Sequence, residues 1–100
     1  MYHHGIGIPK DGIAQLCKRH RIRRLALFGS ILRDDFGDDS DVDVLVEFEP
    51  GVSVGLRFFS IERELSVMLG RKVDLHTPGF LGKYVRDEVL REAEVQYDTA

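Results

Sequence analysis

Between residues 41 and 49 the sequence reads Asp-Val-Asp-Val-Leu-Val-Glu-Phe-Glu, and that alternation leaves few ways for the chain to fold. A two-residue period belongs to an extended strand. Val42, Val44, Val46 and Phe48 then share one face, and Asp41, Asp43, Leu45 and Glu47 share the other. Helical periods flank this strand. Residues 9–20 place Ile13, Leu16 and Cys17 on one helical face, with Pro9 suited to a first turn. Residues 56–69 place Phe58, Ile61, Leu65, Met68 and Leu69 on another, with Gly70 as the stop. Residues 81–93 read as a last helix, with Leu81, Val85 and Val89 four apart. Two short apolar runs read as further strands. One is Leu25-Ala26-Leu27-Phe28; the other spans residues 72–76, where Asp74 faces opposite to Val73 and Leu75. The predicted order is helix, strand, helical turn, strand, helix, strand, helix. This is an α/β (α+β) domain with a small sheet, expected as one unit over residues 1–100.

Charge and cysteine content narrow the functional classes. The formal charge of -3 gives no basic stripe, which weighs against nucleic acid as a direct ligand. The cationic run of residues 19–24 is read as a solvated helix end. No apolar stretch is long enough to span a bilayer, and the start of the chain lacks a signal-peptide pattern. Cys17 is the only cysteine and sits in an apolar helical stripe, so it is read as a small buried hydrophobe. A cytoplasmic protein is expected. His3 and His4 are read as a frayed polar terminus, and His76 as a strand-end residue.

The chemistry lies in Leu27-Phe28-Gly29-Ser30-Ile31-Leu32-Arg33 and, after an acidic loop, in Ser40-Asp41-Val42-Asp43. Asp41 and Asp43, two apart on a strand, set two carboxylates side by side. Without a counter-charge they repel, and one takes up a proton. A hard divalent cation such as Mg²⁺ removes that cost and accepts carboxylate, phosphate and water oxygens. Gly29 lets backbone approach a ligand with no Cβ in the way. Ser30 offers a hydroxyl and a backbone N–H where a helical turn begins, which suits an anion. Arg33 matches phosphate geometry, and pairing with Asp34 or Asp35 is an equal alternative. Asp74 is a third acid on an otherwise apolar strand, placed to hold a second cation or to act as a general base.

Gly29-Ser30, ten residues, then Asp41-x-Asp43 resembles the signature of the polymerase-β-like nucleotidyltransferase superfamily. Phe28, Arg33, Phe36, the run from Ser40 through Val46 and the later Val73-Asp74-Leu75 resemble its minimal nucleotidyltransferase (MNT) family, over roughly residues 10–98. The end of the chain, residues 90–97, also looks like that family's closing helix. The resemblance implies a small mixed sheet with helices packed on one face. It implies that Gly29 and Ser30 hold the triphosphate of ATP and that Asp41, Asp43 and Asp74 bind two Mg²⁺ ions. It also implies transfer of AMP to a tyrosine of a HEPN-type ribonuclease toxin, for which the protein would be the antitoxin. The alternative is a non-catalytic antitoxin that masks its partner sterically. The loop carrying Asp34, Asp35, Asp38 and Asp39 is more acidic than the family pattern, with Asp34 where many relatives carry a small residue.

Overall fold

Strand β4 (Val42–Phe48) forms where the alternation predicts it, with Val42, Val44 and Val46 fully buried. The structure, a computed structural model, describes residues 2–99; Met1 and Ala100, inside the expected domain span, lie outside the described residues. Around β4 the chain runs through β1 (Tyr2–His3), β2 (Ile6–Gly7), α1 (Lys10–His20) and β3 (Ile22–Phe28). It continues through α2 (Arg57–Leu69), β5 (Val73–His76), α3 (Lys83–Glu92) and β6 (Glu94–Asp98). Short 3₁₀ turns cover Gly29–Leu32 and Pro78–Phe80. One four-stranded sheet has the order β5-β4-β3-β6; β3 is antiparallel to both of its neighbours and β4 is parallel to β5. The expected small mixed sheet is therefore present.

Helices α1 and α2 cover the valine face. Ile13, Leu16 and Cys17 of α1 and Ile61, Leu65 and Leu69 of α2 share one core with Leu25, Leu27, the β4 valines, Val73 and Leu75. Burial pushes the Cys17 thiol up to about 12, which suits an inert core position. Helix α2 stops at Gly70, whose φ of 69° is the left-handed conformation that caps a helix. Helix α3 instead sets Val89 against Phe28 and Leu45, on the acid-bearing face.

Two expectations fail. The chain leaves the helical path at Ala93, and the following residues form β6, not a continuation of the last helix. Strand β3 is the reason: it is paired on one side by β4, and β6 satisfies its other side, placing Tyr97 opposite Leu25. The amino terminus is not frayed either. Tyr2–His3 and Ile6–Gly7 pair across a two-residue turn, with φ 51° at His4 and 79° at Gly5. His3 Nε2 meets Glu94 Oε1 at 2.8 Å, and the His4 ring stacks on Phe36 at 5.0 Å.

Outward from the sheet, β5 is tied to α2. The Val73 N–H donates to Ser66 Oγ at 3.0 Å and the Leu75 N–H donates to Glu62 Oε2 at 2.8 Å. The cationic run is taken up by acids of its own chain: Arg19 pairs with Glu64 at 2.7 Å, Arg21 with Glu49 at 3.3 Å and Arg23 with Glu47 at 3.2 Å.

Candidate active site

Register builds the site. Phe28 at the end of β3 lies opposite Asp43, and Asp43 lies beside Asp74 of the parallel strand β5. Both acids project from the face opposite the buried valines, because each sits between inward-facing apolar residues. The chain then turns at Gly29, which has φ 76°. A Cβ on Gly29 would stand 2.5 Å from Asp43 Oδ2. The glycine backbone therefore passes directly over the Asp43 carboxylate, in a conformation and a space that exclude a side chain. Ser30 follows, half-buried, in the first turn of the Gly29–Leu32 segment.

Asp41 precedes β4 and stands apart from the other two acids in its contacts. Its Oδ2 lies 3.7 Å from Lys72 Nζ. The tight group is Asp43, Asp74 and His76, each offering a ligand atom, all within 4.8 Å of one another. His76 Nε2 lies 3.4 Å from Asp43 Oδ1 and 3.2 Å from Asp74 Oδ2. That nitrogen is buried and is aligned for a hydrogen bond with neither carboxylate. Burial pushes the Asp43 carboxyl above its ordinary 3.8; His76 pulls it back, and Asp74 and Asp41 push it further up. Crowded acids beside an orphaned buried nitrogen are what a divalent cation would stabilise. The donor chemistry of these residues fits one.

Arg33 pairs with Asp35, its Nε 3.6 Å from Asp35 Oδ1. It nonetheless lines, with Gly29, Phe28 and the α3 residues Val85, Glu88 and Glu92, a cleft of about 220 Å³ beside the Gly-Ser turn. Sequence reasoning missed four contributors. His76 was assigned to a strand end, although its two-residue spacing from Asp74 already put both on one face. The α3 acids Glu88 and Glu92 left no motif. Arg71 is the fourth: its Nη2 donates to the carbonyls of Gly37 (2.8 Å), Asp38 (3.2 Å) and Ser40 (2.6 Å), and its guanidinium lies 4.7 Å over the Phe36 ring. It fixes the acidic loop that leads into Asp41.

Residues 10–95 match the nucleotidyltransferase domain family. The chain belongs to that family and is a nucleotidyltransferase. It is 40% identical over 78 residues to the protein adenylyltransferase MntA of Thermococcus cleftensis, covering 78% of each chain. A solved structure described as a minimal nucleotidyltransferase is 37% identical, with a TM-score of 0.71 over 84% of this chain and 85% of that one. A chain in the complex of tri-AMPylated Shewanella oneidensis HEPN toxin with MNT antitoxin shares the fold, at 18% identity and a TM-score of 0.64, over 90% of this chain and 70% of that one.

Proposed function

We propose that this nucleotidyltransferase moves AMP from ATP onto a protein acceptor, a tyrosine hydroxyl of a HEPN-type toxin, and is that toxin's cytoplasmic antitoxin. The observation that carries the reading is the β4–β5 register, which sets Asp43 beside Asp74 under the Gly29 backbone. The names of the relatives support the acceptor class: one is a protein adenylyltransferase, and the complex that shares the fold holds an AMPylated HEPN toxin.

In this reading Gly29 and Ser30 receive the triphosphate through backbone N–H groups and the serine hydroxyl. Asp41, Asp43 and Asp74 would hold two Mg²⁺ ions, which when bound neutralise phosphate charge and ease ionisation of the acceptor hydroxyl. The acceptor oxygen bonds to the α-phosphorus. The bond from that phosphorus to the oxygen bridging the β-phosphate breaks, and pyrophosphate leaves. Asp74, with its side chain 52% exposed against 27% for Asp43, stands more open to the incoming hydroxyl and takes its proton. Arg33 would exchange Asp35 for phosphate once nucleotide enters the cleft.

The test is transfer from α-labelled ATP with Mg²⁺ and a HEPN-type partner. Label on the partner that falls to background with Asp41→Asn and with Asp43→Asn supports the reading. Neutralisation of the partner by the double variant, with no label, replaces transfer with steric masking.

A further inference from the structure

His76 is not needed for the transfer chemistry proposed above, yet the fold aims it into the acid cluster. It lies two residues beyond Asp74 on the same face of β5, in register with Leu45 of β4. The Phe28 ring meets the imidazole edge-on, with centroids 5.2 Å apart and planes at 69°. That packing directs Nε2 between the two carboxylates, at 3.4 Å from Asp43 Oδ1 and 3.2 Å from Asp74 Oδ2.

Both distances would also suit an ion pair, so the direction of Nε2, more than its spacing, bears on its role. An imidazole serving as an ion-pair partner would aim its N–H along a hydrogen bond to one carboxylate; this nitrogen is buried and aligned with neither. Two donor atoms about 2.1 Å from one ion, on adjacent coordination positions, stand about 3.0–3.4 Å apart. The two distances from Nε2 have that size. A set of two carboxylate oxygens and one imidazole nitrogen is also not what Mg²⁺ selects, since it takes oxygen ligands almost exclusively. Imidazole favours the divalent transition ions.

We propose that Asp43, Asp74 and His76 form a mixed oxygen–nitrogen site that selects Mn²⁺ over Mg²⁺. The inference rests on the reading above, in which cations sit at these acids, and it puts Mn²⁺ in place of Mg²⁺ at the position that Asp43 and Asp74 share. Asp41, drawn toward Lys72, is left to the cation position on the nucleotide side.

The experiment uses the full chain without nucleotide. Calorimetry gives the Kd for Mn²⁺ and for Mg²⁺, and electron spin-echo modulation of bound Mn²⁺ reports directly on a coordinated nitrogen. Expected for the wild type are about tenfold or tighter binding of Mn²⁺ than of Mg²⁺ and a clear ¹⁴N modulation. His76→Gln should weaken Mn²⁺ by about 10- to 100-fold and abolish the modulation, while leaving Mg²⁺ within about threefold. Bound Mn²⁺ without ¹⁴N modulation in the wild type overturns the inference, and so does an unchanged Mn²⁺-to-Mg²⁺ ratio in the variant. Should His76→Gln not fold, the wild-type spectrum decides alone. Transfer of labelled AMP in Mg²⁺ is read separately. Transfer with a nitrogen-free Mn²⁺ spectrum sinks this inference only. No transfer in either metal, beside a strong ¹⁴N signal, sinks the transferase reading and leaves the metal site standing.

Discussion

Gly29 shows how little freedom one residue of this site has. Its φ of 76° costs an L-residue about 1–2 kcal/mol, and a methyl group there would stand 2.5 Å from the Asp43 carboxylate. Gly29→Ala is therefore expected to lower stability by about 1–3 kcal/mol in urea unfolding. It should cut AMP transfer by about 100-fold, because displacing a reacting group by an ångström costs that much. A variant that keeps wild-type transfer would show that the glycine backbone does not position Asp43. At this scale the sequence was informative where chemistry and period coincide. Asp43 and Asp74 could be read because each interrupts an apolar alternation. His76 could not be assigned a role, because that depends on the register between β4 and β5, and no local pattern encodes the pairing of two strands separated by a helix.

Elements were legible in proportion to how cleanly their faces separate. β4 and α2 each carry an uninterrupted apolar face, and both lie within a residue of the expected bounds. β6 follows α3 with no glycine or proline between them, so local propensity favours continuing the helix, and only the open side of β3 overrides it. The β1–β2 hairpin was hidden for a different reason. Its turn puts His4 as well as Gly5 at positive φ, and a histidine there is an uncommon choice. The hairpin is tied to β6 through His3 and Glu94. The hydrogen bond from His3 holds the Glu94 carboxyl below its ordinary 4.5, against a smaller opposing effect of burial, with Gln96 adding to it. A carboxyl lowered in the folded state stabilises above its unfolded value, and that stabilisation fades as pH falls through the lower folded value. The docking should thus hold above pH 4.5 and loosen below it. In His3→Ala, a ¹³C carboxyl titration should find Glu94 moved up toward 4.5; an unmoved midpoint would sever the proposed link. The loop of residues 34–40 depends on Arg71 in a similar way. Arg71→Ala removes three bonds to carbonyls and the contact with Phe36, and should cost about 1–2 kcal/mol in urea unfolding. Hydrogen exchange at the Ser40 amide, which donates to Gly37, should quicken. Arg71→Lys should restore little, since it lacks the planar fork.

For the molecule as a whole, about 100 residues leave a stability of roughly 5–15 kcal/mol, so single polar contacts at its borders matter. Glu62 and Ser66 occupy the Val73 and Leu75 amides along the outer side of β5. Glu62→Ala should cost about 1 kcal/mol and raise the weight-average mass seen by sedimentation at high protein concentration. An unchanged mass would show that Glu62 has no protective role there. Short strands with bare amides recruit other chains, which is how small sheets aggregate and how extended peptides dock. With these amides already engaged by a helix of its own, the molecule refuses an added strand at the border nearest its acids. Under the proposed function, a visiting protein that offers a hydroxyl to Asp74 would then present a side chain over the open surface, as a guest and not as a further strand of the sheet.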